Sequence, residues 1–238
     1  LADHRAEHIV KVLRSKVGDT VRIGIVDGGK GKGEILAIKK KYPFAVDLRI
    51  EISDLQLVTP PLDLILALPR PIMLKRILSQ MTALGVGTIH LIHANRVEKS
   101  FWEASILAEN GFRPFLLQGL EQAIDTRLPK ICLHPRFKPF VEDYYPTIRD
   151  GYHYHLLAHP GGETMVHKKM SSYPGRAILA VGPEGGWVDY EVKKFRDYGF
   201  SECSIGERIL KVDTAAIALH ARISLLIEQR DQANTGKR

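Results

Sequence analysis

The pattern of apolar and polar positions divides the chain into two regions of different character. In residues 1–58, short alternating runs such as Val21, Ile23 and Ile25 have the two-residue period of a half-buried strand. In residues 59–238, longer apolar runs alternate with segments that have helical spacing. We therefore expect two domains with different architectures, joined near the proline pair of LVTPPLD, because adjacent prolines stop regular structure.

The first region predicts a short helix followed by a small β-barrel. Helical spacing in AEHIVKVLRSKVG indicates a helix that closes on Gly18. An Asp-Gly pair opens DGGKGKG at 27–33, which predicts a hairpin turn with the next strand resuming at Ile35. The segment YPFAVDLRIEI at 42–52 adds a further strand or two. Several short strands on a short segment are typical of a small barrel.

The second region predicts an α/β domain with a mostly parallel sheet, since strands alternating with helices require covered crossover connections. The predicted strands are LDLILALP, GTIHLIHA, KICLHP, YHYHLLAHP, RAILAVGPEGG and SECSIG. The predicted helices are PIMLKRILSQMTALG, RPFLLQGLEQAIDTR, DYEVKKFRDYG and DTAAIALHARISLLIEQR. Asp189 is the expected N-cap of the third helix, and Asp213 or Thr214 that of the fourth.

Charge and composition narrow the class of partner. The 238 residues carry a formal net charge of +7, which favours polyanionic partners such as nucleic acid. An apolar run near 18 residues is missing, so we expect no membrane span. The chain starts without an apolar segment, so we expect no signal peptide. Cys132 and Cys203 lie in apolar runs without metal-ligand spacing, which predicts reduced thiols, a cytoplasmic protein and no metal site.

Three predicted strand ends carry glycine-containing or charged loops. They are LLAHPGGE at 156–163, AVGPEGG at 180–186 and SIGERILKVDTA at 204–215. Ligands of open α/β sheets bind beyond the carboxyl ends of the strands, so one ligand touched by all three loops would be gripped largely by backbone groups. Such a site suits a purine with a polar edge, and it also suits a ligand that carries its own charge. The alternative is that these are ordinary tight connections.

The sequence AVGPEGGW, followed some twenty residues later by IGERILKVDTAA, resembles the C-terminal signature of the SPOUT methyltransferases. The upstream stretches HIVKVLRSKVGD, LALPRPIMLKRILSQMTALGVGTIHLIHANRVEKS and LEQAIDTRLP are similar to the RsmE family, which methylates N3 of a uridine in bacterial 16S ribosomal RNA. The resemblance implies an N-terminal PUA-like barrel, a SPOUT domain with a trefoil knot, S-adenosyl-L-methionine as donor, and a homodimer acting on ribosomal RNA or the small ribosomal subunit.

The chain departs from the family pattern mainly in its central helices and in its last motif. The departing residues are Ala83, Ala94, Asn95, Ile124, Asp125, Lys211 and Asp213. The glycine-containing loops, which the resemblance assigns to the donor, follow the pattern more closely.

The resemblance also implies roles for individual residues. The expected donor-binding residues are Ala158, His159, Gly182, Pro183, Glu184, Gly185, Ile205, Gly206, Ile209, Leu210 and Thr214. Among them Ile205, Ile209 and Leu210 can sandwich the adenine. Glu184 either braces its loop or caps the next helix, or it lies near the sulfonium or the uracil edge. The base that removes the N3 proton stays open between Glu184, a side chain of a second subunit, and water.

The candidate RNA contacts are Lys11, Arg14, Arg96 and Arg127, each of which is alternatively an ordinary surface residue. Two other functions stay open: a ribose 2′-O methyltransferase of the same fold class, and a non-catalytic RNA-binding protein. The closing helix is apolar over a wide arc, which favours a face shared between two subunits over burial within one. A charged substitution on the outer apolar stripe of that helix, such as Ile223→Glu if Ile223 faces outward, is expected to split the dimer.

Overall fold

The structure is a computed structural model that contains two compact units. One unit comprises Leu1–Val58 with Ile124–Arg127, and the other comprises Thr59–Ala123 with Leu128–Arg238. The described residues are 1–53, 60–160, 166, 170 and 175–235. The predicted domain boundary at 58 and 59 lies outside the described residues.

The first unit contains a short helix and a three-stranded antiparallel sheet in the order β1-β2-β3. The elements are α1 (His4–Glu7), the π-helical turn His8–Val12, β1 (Thr20–Gly24), β2 (Lys30–Lys39) and β3 (Ala45–Ile52). The helical path ends at Val12 and not at Gly18 as expected, because Arg14 adopts a positive φ of 52° that a helix does not accommodate. A small core of Ala6, Ile9, Ile35 and Val46 joins the helix to the sheet.

The glycine-rich segment after the first strand is mostly strand and not turn. The turn is confined to residues 25–29, where the amide of Ile25 donates to the carbonyl of Gly29 at 3.0 Å. Strand β2 then begins at Lys30, five residues before the expected Ile35. An added Cβ at Gly31 would lie 1.8 Å from the Glu51 carbonyl oxygen, so this glycine permits close strand approach. The sequence pattern could not separate this use of glycine from a turn.

Residues 124–127 belong to the first unit through specific hydrogen bonds. The amide of Asp27 donates to the carbonyl of Thr126 at 2.8 Å. The Thr126 hydroxyl donates to the carbonyl of Gly28 at 2.7 Å. The Lys30 ammonium lies 3.2 Å from the Asp125 carboxylate. Helix α3 (Arg113–Ala123) ends just before this segment, where Ile124 adopts a positive φ of 53°.

The second unit is built on a six-stranded, wholly parallel sheet in the order β6-β5-β4-β8-β7-β9. Its strands are β4 (Leu62–Ala67), β5 (Thr88–Ile92), β6 (Lys130–His134), β7 (Tyr154–Ala158), β8 (Ala177–Val181) and β9 (Ser201–Cys203). This confirms the predicted α/β class. Strands β4 and β8 are fully buried at the centre. The strand order changes direction between them, so their carboxyl ends form a topological switch point, the usual place for a ligand.

Helices cover this sheet. They are α2 (Pro71–Ala83), α3, α4 (Phe137–Pro139), the π-helical turn Phe140–Tyr144, α5 (Tyr145–Ile148), α6 (Asp189–Asp197) and α7 (Val212–Thr235), with 3₁₀ turns at Lys99–Glu103, Ser105–Leu107 and Arg149–Gly151. Helix α2 has Pro71 in its first turn and Gly85, with φ of 79°, after its end, as predicted. Among the described helices, none is long and apolar enough to cross a lipid bilayer.

Two predicted helix N-caps are wrong, and Ile223 does not face outward. The N-cap of α6 is Val188 and not Asp189, because the Glu191 carboxylate reaches back to accept the Val188 amide at 3.0 Å. Helix α7 begins at Val212, which places Asp213 and Thr214 in its first turn. Ile223 points into the core with none of its surface exposed, whereas Leu225 is 52% exposed on the outer side.

Candidate active site

The candidate active site lies at the carboxyl edge of the central strands of the second unit. Strand β8 lies between β4 and β7, so the loop after it, residues 182–188, emerges beside the loop after β4. The amide of Arg70, which follows β4, lies 3.4 Å from a Glu184 carboxylate oxygen. This arrangement brings the AVGPEGG loop to the switch point of the sheet.

A tight turn explains the composition of AVGPEGG. The amide of Gly186 donates to the carbonyl of Pro183 at 2.8 Å, and Gly186 itself has a φ of 75° that favours glycine. Glu184 and Gly185 occupy the exposed tip of this turn. Glu184 does not cap α6, since Glu191 does so. Its carboxylate therefore braces the loop weakly through Arg70 and faces outward.

Arg96 contacts this loop directly. Its guanidinium Nη1 donates to the carbonyl of Gly185. An added Cβ at Gly185 would lie 2.9 Å from Arg96 Cδ, so the glycine makes room for the arginine. The sequence predicts that Arg96 contacts RNA. The structure places it at the rim of the candidate site, where a guanidinium can meet an anionic ligand.

Glu191 is a positioning residue that the sequence analysis did not identify. Its carboxylate is 2% exposed and accepts two backbone amides, that of Asn95 at 2.7 Å and that of Val188 at 3.0 Å. One side chain thus joins the loop after β5 to the loop after β8. Glutamate at the third position of a helix is a known capping signal, so the sequence could have indicated the contact with Val188. It carries no signal for the contact with Asn95.

The neighbourhood of Gly182 fits a ligand held by backbone groups. An added Cβ on Gly182 would lie 3.1 Å from Trp187 Nε1, so the residue leaves a bare backbone surface beside the indole. Trp187 is 5% exposed, and its indole N–H finds no hydrogen-bond partner among the described residues. A buried donor without a partner is costly, and a polar ligand atom would satisfy it.

The loop after β9 supplies apolar and glycine residues. Ile209 is 83% exposed, which is unusual for isoleucine, whereas Ile205 and Leu210 are half-buried. Gly206 has a φ of 156°, and no described atom lies within 4 Å of an added Cβ. Thr214 is exposed in the first turn of α7. Such a loop presents an apolar surface with an open backbone.

Next to it lies Asp213, one of the residues that depart from the family pattern. It is 5% exposed and lies 3.3 Å from the Arg76 guanidinium, which links the start of α7 to α2. Asp213 therefore has a structural role, because its ion pair connects helix α7 to helix α2.

The loop after β7 is described only at its start. Ala158 and His159 are half-buried, and the amide of His159 donates to the carbonyl of Cys203 at 3.1 Å. His159 Nδ1 lies 3.4 Å from the Glu202 carboxylate. The glycines of LLAHPGGE at 161 and 162 and the glutamate at 163 lie outside the described residues.

The remaining RNA candidates belong to the first unit. The Lys11 ammonium lies 2.7 Å from the Glu7 carboxylate and 4.9 Å from the centre of the Phe44 ring. Arg14 is exposed and Arg127 is half-buried. The exposed lysines 39–41, which the sequence analysis did not single out, add a compact positive charge after β2.

Comparison with known proteins places the chain in a family. The model of the RNA methyltransferase domain matches residues 58–224, and the model of the RNA methyltransferase PUA domain matches residues 1–48. The ribosomal RNA small subunit methyltransferase E of Treponema pallidum is 32% identical over 217 residues, which cover 91% of this chain and 80% of that protein. The chain belongs to the ribosomal RNA small subunit methyltransferase E family. The predicted RsmE resemblance is therefore confirmed.

Two further relatives agree with this assignment. Ribosomal RNA small subunit methyltransferase E 1 of Borreliella burgdorferi is 28% identical, covering 92% of this chain and 88% of that one. The crystal structure of the Neisseria gonorrhoeae enzyme bound to S-adenosyl methionine is 18% identical, with a TM-score of 0.75 and coverage of 95% and 90%. This likeness confirms the SPOUT fold class with a PUA-like first unit. The trefoil knot and the homodimer remain predictions.

Proposed function

We propose that this protein transfers a methyl group from S-adenosyl-L-methionine to N3 of a uridine in 16S ribosomal RNA. The main support is the position of the AVGPEGG loop beside the loop after β4, at the switch point of a parallel sheet. The membership of the chain in this family supports the same reaction. The relatives are named as methyltransferases of ribosomal RNA of the small subunit, and one related structure holds the donor.

The donor would be held by backbone surfaces and apolar side chains. Gly182 and Gly206 leave bare backbone for close approach, and the indole N–H of Trp187, which has no partner among the described residues, offers a hydrogen bond. Ile209 and its neighbours in the same loop offer an apolar surface to the adenine. S-adenosyl-L-methionine supplies a methyl group on a sulfonium that is already activated, so the protein's task is to orient the acceptor and exclude water.

The acceptor nitrogen must lose a proton before it is methylated. Glu184 provides a carboxylate at the exposed tip of the AVGPEGG loop. Because this carboxylate faces outward, it can meet the edge of a uracil. A side chain of a second subunit, or water, could take the proton instead. The target base must leave its stack to reach a site of this kind.

We propose that the chain acts as a homodimer. A groove of about 600 Å³ runs along the outer face of α7 and is lined by Ile205, Ala218, Leu225 and Leu226 among others. Because Ile205 belongs to a proposed donor loop, a second subunit seated there would complete the site. Isologous pairing of one patch with itself is the commonest way for a chain to form a dimer.

We propose that the first unit holds RNA through its basic residues, and that the chain works in the cytoplasm on ribosomal RNA or the small ribosomal subunit. Lys11, Arg14, Arg127 and the lysines at 39–41 are the candidate phosphate contacts. Phosphate contacts of this kind position a protein on RNA without reading its sequence.

Mass spectrometry of modified RNA tests the reaction. Purified protein is incubated with small ribosomal subunits, or with naked 16S RNA, and methyl-labelled donor, and the RNA is digested to nucleosides. We expect the label in N3-methyluridine. Label in a 2′-O-methylated nucleoside would contradict methylation of the base. If calorimetry detects no binding of S-adenosyl-L-methionine, the proposed methyltransferase function is wrong.

A further inference from the structure

A second cluster of chemically active side chains lies away from the candidate active site, on strands β5 and β6. His90 on β5 lies opposite Cys132 on β6 in the parallel register. His134 lies two residues after Cys132 on β6, so both side chains are on the same face of that strand. One ligand atom from each of the three residues lies within 4.8 Å of the other two. The family relationship assigns no role to these residues.

The spacing of the ligand atoms fits a tetrahedral metal. His90 Nδ1 and His134 Nε2 are 3.2 Å apart. Two nitrogens bound to tetrahedral zinc at 2.0–2.1 Å are separated by about 3.3 Å. The Cys132 sulfur lies within 4.8 Å of a ring nitrogen of each histidine, so it can serve as the third ligand.

The packing of aromatic rings around His134 favours the same conclusion. The rings of Phe140 and Tyr144 lie 4.6 and 4.5 Å from the His134 ring, centre to centre, and fix its orientation. Tyr144 also lines the cavity beside Cys132.

A cavity gives access to the cluster. It has a volume of about 410 Å³ and is lined by His90 and Cys132, together with residues at the amino ends of the strands such as Asp63 and Thr88. It therefore opens at the edge of the sheet opposite to the candidate active site. The cavity offers both an entry path and space for a fourth ligand.

We propose that His90, Cys132 and His134 form a binding site for a thiophilic transition metal, with Zn²⁺ as its natural occupant. Nitrogen and sulfur donors exclude Mg²⁺ and Ca²⁺, which prefer oxygen. Three protein ligands leave the fourth position to water or another small ligand from the cavity. Sequence spacing predicted no metal site because two of the ligands share one strand and the third comes from a neighbouring strand.

Cobalt titration tests the site directly. Protein without an affinity tag is treated with a chelator at pH 7.5, and Co²⁺ is added to the metal-free chain. We expect one equivalent to bind, with intense visible bands typical of tetrahedral cobalt, a thiolate-to-cobalt charge-transfer band, and release of the Cys132 proton. Titrating Zn²⁺ afterwards should remove the colour, because zinc binds more tightly than cobalt at such sites.

Two cysteine variants make the test specific. Cys132→Ser should lose the charge-transfer band, whereas Cys203→Ala, which removes the other cysteine of the chain, should keep it. His134→Gln, at a half-buried position of the edge strand, should weaken Co²⁺ binding at least tenfold and provides a second variant if the first misfolds. A folded wild-type chain that binds no stoichiometric metal, or a band that survives Cys132→Ser, would overturn the proposal.

Discussion

At the scale of single residues, the candidate site depends on a few contacts that hold loops in place. Glu191 joins two loops through one buried carboxylate, and Gly182 leaves space beside Trp187. The composition of AVGPEGG was sufficient to predict a tight loop at the end of a buried strand, since glycine and proline favour turns locally. The link from Glu191 to Asn95 spans 96 positions and has no local signal.

Replacing Gly182 with valine should weaken binding of S-adenosyl-L-methionine at least tenfold, while the chain remains folded. The new side chain would begin 3.1 Å from the Trp187 nitrogen and would occupy the bare backbone surface. Calorimetry measures the affinity. Gly151→Ala is the matched control, because no described atom lies within 4 Å of its added Cβ. Equal affinity in a folded Gly182→Val chain would remove this loop from the donor site.

Replacing Glu191 with glutamine should lower the free energy of unfolding by about 1–3 kcal/mol, the usual cost of leaving a buried donor unpaired. The carboxylate accepts hydrogen bonds from two backbone amides, whereas the NH₂ group of glutamine cannot accept, so one of these amides would lose its partner. Urea unfolding measures the change, and donor affinity should fall with it. Glu109→Gln, at an exposed position, should change neither quantity. Unchanged stability in the Glu191 variant would show that the two loops do not depend on this carboxylate.

At the scale of elements, periodicity predicted most strands and helices of the second unit, because buried strands and amphipathic helices carry strong patterns. Periodicity failed where the same residue type occurs in two structural settings, such as glycine in a turn or a strand, and apolar residues on the inner or outer face of a helix. Gly31 lies within a strand and not in a turn, and the outward side of α7 is marked by Leu225 and not by Ile223. Which part of a broadly apolar helix faces its own core depends on tertiary packing.

The charged substitution Leu225→Glu should dissociate the proposed homodimer and abolish methyl transfer. The side chain is 52% exposed and lines the groove on α7, so the monomer should still fold. Sedimentation equilibrium should show a dimer for the wild type and a monomer for the variant. Leu133→Glu, at a leucine 41% exposed on the edge strand β6, should remain dimeric. A fully active wild-type monomer at micromolar concentration would refute the shared site.

Acid should destabilise helix α7 through His220. Burial lowers the pKa of His220 from 6.5 to about 4, so between these values the unfolded chain binds a proton that the folded chain does not. Stability is therefore full above pH 6.5 and falls as the pH drops towards 4, by about 2 kcal/mol at pH 5.

Urea unfolding at pH 7 and pH 5, at one protein concentration, measures this effect. The wild type should lose about 2 kcal/mol more than His220→Gln, which cannot titrate. His4→Gln removes an exposed histidine and should behave as the wild type. Identical pH dependence in wild type and His220→Gln would contradict the role of this residue.

At the scale of the whole molecule, the sequence predicted two regions of different architecture and a polyanionic partner. The change of period near the proline pair and the net charge of +7 supported those predictions. The inclusion of residues 124–127 in the first unit was not predictable, because it depends on hydrogen bonds from Thr126 to residues almost a hundred positions away. Its family membership makes the chain an enzyme that modifies ribosomal RNA.

Primer extension on 16S ribosomal RNA tests that claim most directly. N3 methylation blocks Watson–Crick pairing, so reverse transcriptase stops at a modified uridine. RNA from cells that carry the gene should give one strong stop at a uridine. The stop should be absent from cells that lack the gene and should return when the gene is restored, but not when the Gly182→Val variant is supplied. Identical stops in the presence and absence of the gene would contradict the proposed function.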